Sequence, residues 1–175
     1  MTTKEVIQII DCVECRGLNG ALTRAILDLE DQDYARRSHL FHGRYENLYI
    51  EADSLPGLRQ IVEIALSEAA SLLQQAESDL KMGFWLNIMQ QGDVTTLHSH
   101  DDGDEILSAV YYVQVPEPAG IFRLHHHRQV HEYIPVEGRF MFFDPALPHE
   151  VSEHNNEVPR ISIGINFGLT NSDDE

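Results

Sequence analysis

GFWLNIMQQGDVTTLHSHDD, residues Gly83–Asp102, reads as two short strands and the turn between them. GFWLNIMQ is an apolar and aromatic run of strand length, Gly92 and Asp93 interrupt it, and VTTLHSH resumes it. His98, His100 and Asp102 share one parity, so on an extended strand they project from the same face. Three metal-grade side chains on one face near a strand end mark a candidate site. The same strand grammar continues downstream through ILSAVYYVQV, GIFRLHH, EYIPV, RFMFFD and RISIGINFG, punctuated by Gly103, Pro116, Pro118, Gly120, Gly138, Pro145 and Pro148. Seven short strands in succession imply a sandwich or barrel.

Upstream of Gly83 the pattern differs. Val6–Ile10 reads as a short strand, and Leu18, Leu22, Ile26 and Leu29 recur at helical spacing. Residues 31–46 are charged and aromatic by turns and read as loop, and Leu48–Ile50 as a short strand. A second helix is expected from Ser54 as N-cap with Pro56 in its first turn, burying Leu58, Ile61, Ile64, Ala65, Leu72 and Ala76. Helices first and strands second is an α+β pattern, mainly β, in which helices buttress one face of the β core. A length of 175 residues suits one domain. Its parts are a helical support region at 1–80, a β core carrying the site at 81–168 and a frayed tail at 169–175.

The formal charge of −17 argues against nucleic-acid or anionic-membrane binding, which draw on a basic surface. It also means that an acidic ligand must find a local positive pocket. No apolar run approaches the ~20 residues of a membrane span. MTTKEVIQII lacks the charged-then-apolar pattern of a signal peptide, so a cytoplasmic location is expected. Cys12 and Cys15 form a CxxC pair. No Pro or Trp frames it, and one pair is half of a four-Cys zinc site, so two reduced cysteines beside a first turn are expected.

His149, in DPALPHEV, is a further candidate ligand, and Arg160 follows it after ten intervening residues. Histidines with a carboxylate suit Fe(II) and leave positions open for other ligands. Two sets remain open: His100, Asp102 and His149, or His98, His100 and His149. Arg160 and Ser162 share a face of a strand-like run; a guanidinium fork binds a carboxylate bidentately, and the hydroxyl adds a third hydrogen bond. Tyr111, on a core strand, is a candidate for holding the same carboxylate. Trp85 reads as core packing. His125, His126 and His127, with His131, alternate between faces and read as an exposed strand end or hairpin.

Taken together these residues resemble the iron(II)/2-oxoglutarate-dependent oxygenases, most closely a bacterial and phage subgroup of them. The resemblance spans Phe84 to Gly168. It rests on Trp85-x-Asn87, Gly92, His98-x-His100, Ser108 with Tyr111-Tyr112-Val113, Pro135 and Gly138, Pro145, Leu147-x-His149-x-Val151, Arg160-x-Ser162 and Asn166-Phe167. Ala109 stands where the subgroup usually has Gly. DDGDEIL is two residues longer than the matching loop, so the subgroup's early ligand pair falls on His98 and His100 or on His100 and Asp102. The resemblance implies a double-stranded β-helix (jelly-roll, cupin-like) core, Fe(II), 2-oxoglutarate as cosubstrate and molecular oxygen. It also implies a dioxygenase, read as a hydroxylase, that couples oxidative decarboxylation of 2-oxoglutarate to C–H oxidation of a small molecule or peptide. A rival likeness is to the cupins, with His98, His100, Glu105 and His149 as ligands and no 2-oxoglutarate; there Asp144 and Ala146 replace the expected Pro and Gly, and Arg160 has no use. Exposed edge strands make a homodimer reasonable.

Overall fold

The computed structural model describes residues 7–100 and 103–170. The chain runs β1 (Ile7–Asp11), α1 (Val13–Leu27), β2 (Arg36–Phe41), β3 (Arg44–Tyr49), α2 (Leu58–Leu73), β4 (Leu80–Met89), β5 (Thr95–His98), β6 (Glu105–Gln114), β7 (Phe122–His126), β8 (Gln129–Tyr133), β9 (Arg139–Phe143), β10 (His149–Val151) and β11 (Arg160–Leu169). The strands form two antiparallel sheets, ordered β1-β9-β6-β11-β4-β3-β2 and β5-β10-β7-β8. They enclose a jelly-roll core, and the fold class expected from the sequence holds.

Period-two alternation assigns each strand two jobs. On one face of the large sheet, Tyr111, Val113, Ile161, Ile163, Ile165 and Phe167 pack with Leu22 and Ile26 of α1 and Leu58 and Ile61 of α2. On the other, Met89, Tyr112, Met141 and Phe143 meet Phe122, Leu124 and Val151 of the small sheet. β11 pairs with β4 along its whole length, Arg160 opposite Met89 and Leu169 opposite Leu80, and with β6 on its other edge. This three-strand slab is the rigid floor on which the site stands.

Several local expectations change. Residues 36–49 form the β2–β3 hairpin, not a loop, turning through His42 and Gly43, both at positive φ (47° and 78°). Two successive left-handed residues make the turn that suits strand twist. β10 was not foreseen, since three residues are too few for a periodic signal, and β8 lies three residues before the expected EYIPV. α1 begins at Val13, and its N-cap is Cys12, whose sulfur accepts the Cys15 N–H at 3.2 Å. Cys12 and Cys15 are joined in a disulfide, which corrects the expectation of two thiols: the first helical turn brings their Cα atoms to 5.3 Å, within bridging range. Gly57, not Ser54, caps α2, whose buried stripe is Leu58, Ile61, Val62, Ala65, Ala69 and Ala70. Leu72 is exposed and Ala76 lies beyond the helix end. Val6 and residues 171–175 fall outside the described residues.

Candidate metal centre and cosubstrate pocket

Strand pairing brings the late histidine to the early pair. β10 pairs with β5, which sets His149 directly opposite His98. His100 follows the end of β5, and its N–H donates to the Pro145 carbonyl at 2.8 Å. The three imidazoles gather with ring centroids 4.3 Å (His98–His149), 5.0 Å (His98–His100) and 5.2 Å (His100–His149) apart. One nitrogen from each lies within 4.8 Å of the others, and among the described residues no other group of three ligating side chains comes together.

Two of these rings are aimed by the main chain. His98 Nδ1 lies 2.6 Å from the Thr96 carbonyl and His149 Nδ1 lies 2.9 Å from the Leu147 carbonyl. A carbonyl only accepts, so each Nδ1 carries the proton and each Nε2 keeps a lone pair. This is how metal-ligating histidines are usually oriented. His149 is 6% exposed, and burial, reinforced by the neighbouring His98, pushes its pKa down to about 3. At neutral pH it is uncharged, the state that a metal requires.

Asp102 falls outside the described residues. Glu105, the fourth ligand of the cupin reading, stands apart from the trio and has one buried carboxylate oxygen without a hydrogen-bond partner. His125 pairs with Glu150 at 3.0 Å, while the His126 and His127 ring centroids lie 3.8 Å apart with their planes tilted by 43° at the β7–β8 turn. They are hairpin residues, as alternation suggested.

Arg160 and Ser162 enter the same cavity from the floor. Arg160 is 1% exposed. Its Nη1 donates to Ser162 Oγ at 3.3 Å, its guanidinium lies 5.2 Å from the Tyr112 ring centroid, and its Nε and Nη2 have no hydrogen-bond partner. Burial lowers its pKa, but an arginine stays charged in proteins. A buried cation with two donors unused is costly unless an anion completes it. Asn87, across the strand from Ser162, donates to Thr95 Oγ1 at 3.3 Å and lines the same cavity.

Tyr111 lies elsewhere. Its parity is that of the helix-facing residues, and its hydroxyl donates to Asn19 Oδ1 of α1 at 2.7 Å. The tyrosine on the Arg160 side of the sheet is Tyr112, one residue on, because a single step along a strand reverses the face; its ring lies behind the guanidinium, buried between the sheets. Trp85, read as core packing, instead stands at the cavity wall with its ring 5.7 Å from His100. It faces Gly164, where any Cβ would fall 2.4 Å from the indole. The signal for Asn87 and Trp85 was available: they alternate on one strand-like run, and their partners on β11 are Ser162 and Gly164.

Residues 83–136 match the model of a family described as "Putative 2OG-Fe(II) oxygenase". Over that segment, about a third of its length, the chain is similar to the 2OG-Fe(II) oxygenases. The matched segment contains His98 and His100 but ends before His149 and Arg160. Solved 2OG-Fe(II) oxygenase structures share the fold. A Pseudomonas putida prolyl-4-hydroxylase superposes with a TM-score of 0.70 at 18% identity, covering 96% of this chain and 95% of its own. EvdO2 from Micromonospora carbonacea var. aurantiaca, solved with 2-oxoglutarate, gives 0.61 at 15% identity, covering 97% and 90%. A Trichoplax adhaerens prolyl hydroxylase, in complex with a hypoxia inducible factor oxygen degradation domain peptide fragment, gives 0.63 at 15%, covering 94% and 84%. No curated protein matches the chain in sequence.

Proposed function

We propose that this protein is an Fe(II)/2-oxoglutarate-dependent hydroxylase whose metal is held by His98, His100 and His149. The observation that carries the reading is the fully buried Arg160, with Nε and Nη2 unpartnered in the cavity the three histidines line. A single imidazole cluster suits several metals. An imidazole cluster beside an unsatisfied buried guanidinium suits a metal together with a carboxylate ligand.

Each residue then has a task. Arg160 presents its fork to the 5-carboxylate of 2-oxoglutarate, and Ser162, which accepts from Arg160, keeps its own hydroxyl proton to donate. Tyr112 backs the guanidinium with its ring face. His98 and His149 offer Nε2, their Nδ1 protons being committed to main-chain carbonyls. When bound, iron and 2-oxoglutarate supply oxygen activation coupled to oxidative decarboxylation. The apolar walls at Phe122, Phe143 and Val110 exclude water around them. The substrate, a small molecule or a peptide, is expected to enter past Trp85. No helix among the described residues is long and apolar enough to cross a membrane. We place the protein in the cytoplasm, as one domain with its catalytic core at 81–168. The edge strands β2 and β8 suit pairing with a second copy.

Anaerobic titration with Fe(II) and then 2-oxoglutarate tests the reading, followed by the weak visible charge-transfer band of a keto acid chelated to iron. The band is expected in the wild type, absent in His149→Ala, and shifted to much higher 2-oxoglutarate concentration in Arg160→Ala with iron affinity kept. Iron binding without the band would favour a cupin-type metal protein. Equal losses of iron and cosubstrate affinity in Arg160→Ala would remove the anchor role.

A further inference from the structure

Glu46, in the middle of β3, is 3% exposed, and it spends its carboxylate on a strand of the other sheet. Its Oε1 accepts the Thr96 main-chain N–H at 2.9 Å, and its Oε2 accepts the Thr96 hydroxyl at 3.0 Å. Thr96 lies in β5, an edge strand that pairs only with β10. The N–H and C=O of one extended residue point to the same side, and on this side no neighbouring strand receives them. Glu46 takes the N–H. The carbonyl takes the Nδ1 proton of His98 at 2.6 Å.

Glu46 is itself fixed. Arg44 Nη2 lies 3.6 Å from Glu46 Oε1 and donates to the Val94 carbonyl at 2.6 Å. Arg44 Nη1 donates to Asn87 Oδ1 at 3.4 Å and to the Ile88 carbonyl at 3.3 Å. The hairpin therefore brackets both sheets where they meet the site: β4 at Asn87 and β5 at Thr96.

We propose that Glu46 is a positioning residue for the metal ligand His98. It acts through Thr96: by clamping that residue at two points it holds the Thr96 carbonyl where it keeps His98 in the Nδ1–H tautomer, with Nε2 aimed at His100 and His149. A carboxylate suits the task because charge-assisted hydrogen bonds are shorter and roughly twice as strong as neutral ones. The inference rests on the reading of His98 as a ligand.

Two measurements on the full chain test it. Long-range 1H–15N correlation of the metal-free protein reads the His98 tautomer directly, and titration with Co(II), watching its visible bands, reads affinity and ligand geometry. Wild type is expected to hold a single Nδ1–H tautomer at His98. Glu46→Ala is expected to mix the two tautomers and to weaken Co(II) binding by about 10-fold, the low end for residues that support a ligand without touching the metal. Should Glu46→Ala fail to fold, Glu46→Gln and Glu46→Asp carry the test. Glutamine still reaches both Thr96 groups and is expected to preserve the tautomer; aspartate is too short and is expected to lose it. No difference between them, or the reverse order, overturns the proposal. So does a folded Glu46→Ala with wild-type tautomer and Co(II) affinity. His98→Ala separates the two ideas: if it loses Co(II) while Glu46→Ala does not, only the Glu46 proposal fails, whereas wild-type Co(II) binding in His98→Ala defeats the ligand reading and the proposal with it.

Discussion

Arg160 poses an energetic problem that an anion solves. Its guanidinium is fully buried, and two of its nitrogens have no hydrogen-bond partner. An uncompensated buried charge destabilises a fold by several kcal/mol, and replacing buried ionic groups with apolar ones of like size often stabilises by about 1–4 kcal/mol. Arg160→Met should therefore raise the urea-unfolding stability of the cosubstrate-free protein by about 1 kcal/mol or more while removing 2-oxoglutarate binding. A destabilised variant would mean that the cation has a compensating partner. His149 makes the opposite bargain by staying neutral. Its pKa falls from an unfolded value near 6.5 to about 3. The unfolded chain then binds a proton that the folded chain refuses, so stability present above pH 6.5 is lost progressively as pH falls toward 3. Metal-free wild type should lose stability between pH 6.5 and about 4.5, and His149→Gln should show a flatter curve there by chemical unfolding. Parallel curves would mean that the site admits the proton. Arg160, Ser162 and the histidines were legible as candidates from residue type and parity, which left Asp102 open beside them because it shares the parity of His98 and His100. Tyr111 was chosen because two adjacent tyrosines satisfy the same motif; both are fully buried, and only their partners, Asn19 for Tyr111 and Arg160 for Tyr112, show which one lies on the site's side of the sheet.

β4 and β11 depend on an exact complement of large and small. Trp85 lies on Gly164, and a Cβ there would meet indole atoms at 2.4–2.7 Å. Trp85 is the chain's single tryptophan and its ring stands 5.7 Å from His100. Gly164→Ala should cost about 1–3 kcal/mol of stability by overpacking and shift the tryptophan emission. Unchanged emission with unchanged stability would mean that the ring has room to turn away. The long strands were legible because apolar and aromatic runs of strand length, bounded by Gly, Pro and Asp, leave a clear trace. The β2–β3 hairpin was not: RRSHLFHGRYENLY has no apolar alternation, for most of β2 faces solvent and Arg44 and Glu46 turn their charges inward. Nor does sequence pattern reveal that Thr96, a polar residue among many, joins Glu46 to His98.

The whole molecule carries a formal charge of −17, yet the reading gives it a dianionic cosubstrate. The long-range field opposes approach, and the local attraction comes from Arg160 at the floor of the cavity and from the iron the histidines would hold. These two contributions respond differently to salt. The Debye length falls from about 30 Å at 0.01 M to about 8 Å at 0.15 M, which screens charges spread over the surface, whereas a buried group is screened much less. Added salt should therefore lower the barrier to entry while leaving the anchor nearly intact. The expected result is that 2-oxoglutarate binds the iron-loaded protein faster and more tightly at 0.15 M than at 0.01 M, by stopped-flow and equilibrium titration of the charge-transfer band. Weaker binding in salt would mean that an exposed positive path guides the anion inward. The basic segment of the β2–β3 hairpin, with Arg36 and Arg37 stacked on Tyr49 and Tyr45, would then be the place to neutralise first.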